Sequence, residues 1–233
     1  MDVVVTTCDT HYWALKPFAY LFNRYWGRHQ KVVVLGFSPL GFDLPSNFEF
    51  YSLGEFGEYP SSEWSTPLIP FFKRYIQDKF IWMFEDYWLR RIVNVELVAN
   101  LEYLDSLLVG QKILRTDLTA DRLYAGGMRD YCSYDSTDLI ITDHEVPYQM
   151  SLQAGIWDRR LLLELMIPHE SPWDFEINGS TRLRDFPDFK VLGTRQWPVR
   201  YTIGVWNNKE GVDLEGIPLE DVEEIRSRGY LER

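Results

Sequence analysis

"VVVTTCDTHYWALKPFAYLFNRYWGRHQKVVVLGF", residues 3–37, decides the fold class. Its first five residues are β-branched and read as a strand, because two heavy atoms on Cβ suit the pleated backbone. After the polar CDTHY, the residues Leu15, Phe18, Phe22 and Tyr25 recur at helical spacing, so 12–26 reads as an amphipathic helix. KVVVLGF (31–37) is a second strand. Strand, helix, strand is how an α/β domain with a parallel sheet begins.

The pattern extends outward from there. FEFYSL (48–53) reads as a third strand, and WSTPLIPFFKRYIQDK (64–79) as a helix with Pro67 in its first turn and Pro70 at a boundary or kink. FIWMF (80–84) reads as a fourth strand, central and buried on both faces. Asn94 is a good N-cap for a helix marked by Val98, Leu101, Leu104 and Leu108. In the second half, KILRTDL (112–118) and DLIITDH (138–144) are strand-like, with a loop, LYAGGMRDY (123–131), between them. IWDRRLLLELM (156–166) reads as a short helix, and SPWDFE (171–176) opens another. KVLGTR and VRYTIGV read as a hairpin turning at Gln196-Trp197-Pro198. PLEDVEEIRSRG is a surface helix with Pro218 near its start and Gly229 just past its end. No linker is long enough to separate two domains. The expectation is one α/β domain, parallel in its N-terminal half and mixed in its C-terminal half.

Composition narrows the function classes. With 24 basic and 35 acidic residues the net charge is −11, which disfavours free nucleic acid as a bulk electrostatic partner. A nucleotide ligand stays open, since a divalent cation can mediate phosphate binding. The 14 Tyr, 14 Phe and 9 Trp suit a core and equally suit stacking on bases or sugar faces. Two cysteines, Cys8 and Cys132, are too few for a disulfide framework. MDVVVTTCD lacks the features of a signal peptide, and no apolar run approaches the roughly 18 to 20 residues of a membrane span. A cytoplasmic protein is expected.

In open α/β sheets, ligands bind outside the carboxyl ends of the strands. Three polar clusters fall at such places. In TTCDTHY, Thr6, Asp9 and Tyr12 can meet a nucleoside, although Asp9 equally suits a helix cap. Glu85 and Asp86 end the apolar run FIWMF. As oxygen donors they suit Mg²⁺ or Mn²⁺, with Asp86 the first choice; a solvated strand end is the alternative. Both reach one ion only if the chain turns there, because neighbours in a strand face opposite ways. In HESPWDFEINGS (169–180), Asp174 and Glu176 are candidate bases. Ser171 to Asp174 also has the form of a capping box, an explanation that Glu176 escapes. Trp64 is a core residue by default, with a second possibility of lining the site. The four histidines have no metal-ligand spacing. No glycine-rich phosphate loop follows the first strand.

Three stretches taken in order resemble small GT-A-like glycosyltransferases of bacteria and phages. They are VVVTTCDTHYWALKPFAYLFNRYW, WSTPLIPFFKRYIQDKFIWMFEDYWLRRIVN and SLQAGIWDRRLLLELMIPHESPWDFEINGS. The resemblance implies a Rossmann-like three-layer sandwich forming one domain over 1–233, with 1–110 binding a nucleotide sugar and 111–233 an acceptor. It implies a UDP-sugar donor, Mn²⁺ or Mg²⁺, and transfer to the hydroxyl of a saccharide, as in polysaccharide biosynthesis; the net charge disfavours modified DNA as acceptor. Together with the clusters above it gives donor contacts from Thr6, Asp9, Tyr12, Trp64 and Asp86, metal contacts from Asp86 and Glu85, and a base at Asp174, ahead of Glu176, for an inverting transfer, retention of configuration being the alternative. Such enzymes carry an Asp-any-Asp motif where this chain has Glu85-Asp86-Tyr87. The rival readings are a sugar-phosphate nucleotidyltransferase, which needs a glycine-rich basic loop absent from TTCDTHY, and a carbohydrate-binding module, which leaves the acids without purpose.

Overall fold

The computed structural model describes residues 1–55, 57–108, 110–134, 137–205 and 211–232. Its strands are β1 (Asp2–Thr6), β2 (Val32–Gly36), β3 (Phe48–Ser52), β4 (Lys79–Phe84), β5 (Tyr87–Leu89), β6 (Lys112–Asp117), β7 (Arg129–Tyr134), β8 (Thr137–Ile141), β9 (Gly155–Asp158), β10 (Phe189–Thr194) and β11 (Tyr201–Ile203). The helices are α1 (Leu15–Tyr25), α2 (Ser65–Arg74), α3 (Val95–Glu102), α4 (Leu104–Leu107), α5 (Asp121–Tyr124), α6 (Arg159–Leu165), α7 (Pro172–Leu183) and α8 (Leu219–Ser227).

The main sheet has the order β3-β2-β1-β4-β9-β6-β10-β8-β7, and β5 and β11 form a separate ribbon. β3, β2, β1 and β4 are mutually parallel. β9 runs antiparallel between β4 and β6, while β10 is parallel to β6. Alternate residues of each central strand feed opposite faces. Val3, Val5, Ile81 and Met83 pack beneath α1, α3 and α8, whereas Val4, Phe80, Trp82 and Trp157 pack beneath α2, α6 and α7. The result is the expected three-layer α/β sandwich with a parallel N-terminal half and a mixed C-terminal half.

Three expectations need correction. KVLGTR and VRYTIGV are not a hairpin: β10 pairs with β6 and β8, and β11 pairs with β5. Both segments are strands, but alternation within a strand does not name its partner. Residues 156–166 are not one helix either. Ile156 and Trp157 fill the gap between β4 and β6, and the Asp158 side chain then caps α6 by accepting from Arg160 N and Leu161 N, both at 2.9 Å. A further strand, β7, begins inside the segment read as a loop. Among the described residues, no helix is long and apolar enough to cross a membrane.

Candidate active site

The carboxyl ends of β1, β4 and β6 and the amino end of β9 share one edge of the sheet, because β9 runs the other way. Four polar segments therefore converge: 7–12, 85–86, 118–122 and 151–154.

Glu85 and Asp86 occupy a turn between β4 and β5, the condition under which both can face one ion. The turn is braced from three sides. Trp88 Nε1 donates to Glu85 O (3.0 Å) and Ala14 O (3.3 Å), Trp88 N to Asp86 O (3.0 Å), and Gly204 N to Asp86 O (2.7 Å). Glu85 is buried; its Oε1 meets His11 Nδ1 at 3.0 Å, and its Oε2 has no partner. Hydrogen bonds to Cys8 and to Glu85 push the His11 imidazole up to about 10, against its burial. The Asp86 carboxyl is pushed up to about 8 by burial and then by the charge of Glu85. The His11 imidazolium answers Glu85 Oε1 alone, so the two acids of the turn, once both are ionised, keep a net negative charge.

The β1 loop is tied to the β2 loop. Asp9 Oδ1 accepts from Ser38 N (3.2 Å), while Tyr12 Oη accepts from Phe37 N (2.6 Å) and donates to Ser38 O (3.0 Å). Gly36 admits this contact, since a Cβ there would lie 2.6 Å from Tyr12 Oη. Thr6 is buried and accepts from Trp82 Nε1 at 3.3 Å. Half-buried Trp64 stacks on Trp82 and Phe84 with ring centroids 5.4 and 6.3 Å away. It therefore lies beside the last residue before the acid pair.

Asp174 and Glu176 separate in the structure. Asp174 closes the capping box of α7: its N donates to Ser171 Oγ (3.1 Å), and its Oδ2 accepts from Ser171 N (3.2 Å) and Ser171 Oγ (2.6 Å). These bonds hold its carboxyl below the ordinary range. Glu176 instead accepts from Leu152 N at 2.7 Å and lines a cavity of about 740 Å³; burial raises its carboxyl.

That cavity was not foreseen from the sequence. Asp117, wholly buried at the end of β6, accepts from Thr119 N (3.2 Å), Thr119 Oγ1 (2.9 Å) and Arg122 N (2.9 Å), and so folds the 118–122 loop into the cavity wall. Asp121 is pushed up by burial but held below the ordinary range by Arg115 and Arg122. Arg90, Arg200 and Tyr201 also line the cavity. The rule applied to β4, an acid following a buried strand, applies equally to Asp117 in KILRTDL, and would have found this loop.

Glu85 and Asp86 do not line the cavity. Tyr87, next to Asp86, stacks on the cavity residue Tyr201 with centroids 4.3 Å apart and planes within 6°. Tyr87 Oη donates to Leu152 O (3.2 Å), whose own N–H binds Glu176. One ring pair thus joins the acid turn to the cavity. Among the described residues no group of three or more His, Cys, Asp or Glu could hold a metal. The turn can still contribute one or two carboxylates to a hard cation whose other ligands come from phosphate and water.

No family model matches the sequence, and no curated protein matches it. Among solved structures, the chain is similar to S. aureus TarS 1–349 at a TM-score of 0.45 and 12% identity, covering 82% of this chain and 58% of that one. It is similar to CMP:2-keto-3-deoxy-manno-octonic acid synthetase complexed with CTP at 0.42 and 12%, covering 98% of each chain. The galactosyltransferase LgtC, solved with donor and acceptor sugar analogs, gives 0.37 and 10%, covering 82% and 67%. At these scores any functional reading rests on the residues themselves.

Proposed function

We propose that the chain is an inverting glycosyltransferase that uses a nucleotide sugar, with UDP-sugar as the first choice of donor. The observation that supports it is the adjacency of a braced acid turn, two carboxylates against one imidazolium, to a cavity holding a raised glutamate. Asp86, with Glu85 Oε2 behind it, would hold Mn²⁺ or Mg²⁺ against the donor diphosphate; the buried, unpartnered oxygen fits such an ion. The cation supplies charge stabilisation to the leaving diphosphate. The β1 loop and Trp64 would face the nucleoside.

The acceptor sits in the cavity. Its hydroxyl oxygen attacks the anomeric carbon as the bond to the diphosphate oxygen breaks and the electron pair leaves with that oxygen. Glu176, in its carboxylate form, takes the hydroxyl proton. The geometry moves the proposed base from Asp174 to Glu176, since Asp174 is engaged in the cap. This assignment also favours residues 1–110 for the donor and 111–233 for the acceptor, with Arg90 and Tyr87 reaching across.

Calorimetric titration with UDP-glucose, with and without Mn²⁺, tests the reading. Binding should require Mn²⁺, and Asp86→Asn should weaken it about tenfold or more, the loss of one charge-assisted contact. Mn²⁺ alone should bind poorly, because the protein offers at most two carboxylates. Unchanged affinity in Asp86→Asn would remove the residue from the role. Binding of nucleoside triphosphates in preference to UDP-glucose would favour nucleotidyl transfer instead.

A further inference from the structure

The cavity wall carries positive charge that the fold leaves unpaired, in a chain whose net charge is −11. Arg90 and Arg200 flank the β5–β11 ribbon as cross-strand neighbours, with Arg90 N donating to Arg200 O at 3.2 Å. Both line the cavity, and Arg91 follows directly. Among the described residues none of the three is in an ion pair with a carboxylate. Arg90 Nε is buried without a partner. Burial, and then repulsion from Arg91 and Arg90, lowers the Arg200 guanidinium from its ordinary value.

A third guanidinium belongs to the same cavity. Arg122 is 2% exposed, lines the cavity, and gives Nη2 to Asp121 Oδ2 and Tyr148 O, both at 2.8 Å. Its Nε and Nη1 remain without partners. These two atoms are sealed from the cavity, so Arg122 contributes its charge to the wall rather than a free donor. The framework around these groups is set rather than loose. Arg200 lies 3.7 Å over the Trp197 ring, and Trp197 (φ 30°) and Tyr148 (φ 58°) hold left-handed backbone on the cavity wall. Strain of this kind persists only where surrounding contacts fix it.

We infer that the cavity takes an anionic acceptor: a polyhydroxyl molecule bearing a phosphate or carboxylate, whose charge is received by Arg200 and Arg90. Fixed guanidinium forks match the geometry of both anions. The inference rests on the glycosyltransferase reading for the word acceptor, but the anion site stands on the arginines alone.

Calorimetry without donor tests it, using glucose 6-phosphate, glucuronate, inorganic phosphate and glucose as probes. At least one charged sugar should bind at least tenfold more tightly than glucose, and the preferred one identifies phosphate or carboxylate as the natural anion. Arg200→Gln should weaken that binding about tenfold, as expected for a charge-assisted contact. Arg226→Gln, which removes a surface charge elsewhere, should leave it unchanged. Arg90→Gln serves as the second variant if Arg200→Gln fails to fold, and the charged-against-neutral comparison needs no variant. Equal affinity for charged and neutral sugars, or charged-sugar affinity unaffected by both variants, would overturn the site. Titration with UDP-glucose and Mn²⁺ runs in parallel. Arginine-dependent anion binding without donor binding would sink the glycosyltransferase reading and leave the anion site; donor binding with no anion preference would do the reverse.

Discussion

Two acids two positions apart on α7 have opposite surroundings, and their substitutions should separate cleanly. Burial disfavours the charged form of Glu176, so its carboxyl keeps its proton to higher pH than the ordinary glutamate at about 4.3. A base must be deprotonated to act, so the rate should rise with pH along a limb lying above that value. Glu176→Gln should abolish the limb and lower turnover by about 10² to 10⁴ at saturating donor. The sign for stability is the reverse: a raised carboxyl loses folding free energy as pH climbs through its folded pKa. The neutral amide should therefore leave Tm unchanged or higher at alkaline pH. Asp174→Asn should instead lower Tm while turnover persists. Ser171→Ala, which removes the other half of the same cap, should cost about 1 kcal/mol, or roughly 2–4 °C in Tm. Transfer rates and melting curves of the three variants check all of this. Retained turnover in Glu176→Gln would end its assignment as base. The sequence showed the cap at Ser171–Asp174 and showed that Glu176 escapes it. It gave no view of Leu152 N, which fixes Glu176 from across the fold.

At the scale of elements, the β5–β11 ribbon joins the two parts of the site. It carries Tyr87 and Tyr201, is flanked by Arg90 and Arg200, and leads to Gly204, whose N–H holds the Asp86 carbonyl. A Cβ on Gly204 would lie 2.3 Å from Trp88 Cδ2, and Trp88 is wholly buried. Gly204→Ala must displace either the indole or the ribbon, an overpacking cost of about 1–3 kcal/mol. At roughly 2–4 °C per kcal/mol, Tm should fall by about 2–12 °C. Because both groups brace the acid turn, Mn²⁺-dependent donor affinity should fall as well. Thermal melts paired with calorimetry measure both effects; a stability loss with unaltered donor binding would show that the ribbon does not position Asp86. This ribbon was illegible as a unit. Strand-like runs are local, but the pairing of residues 87–89 with 201–203 is a long-range choice made by packing. The parallel half was legible because β1, β2 and β4 carry continuous apolar runs and α1 has one apolar stripe.

For the whole molecule, the deciding element is β9, the short strand hidden in a run that reads as helical. It closes the centre of the sheet by pairing with β4 on one side and β6 on the other. Ile156 and Trp157 are too few to show a period, and only Asp158, as a cap, marks where the strand ends and α6 begins. A fragment of residues 1–110 lacks both β9 and β11, and so leaves β4 and β5 without those partners. It should show no cooperative thermal transition, unlike the full chain; a sharp melt from the fragment would show that the N-terminal half is self-sufficient. The same connectivity has a kinetic side. At synthesis rates of about 5–20 residues per second, the edge of β4 emerges several seconds before the strand that covers it. During that interval the nascent chain carries an open edge rich in large apolar side chains, the kind of template on which other chains pair. Residues 155–158 thus act as the chain's own late cover for that edge, well before any ligand is met.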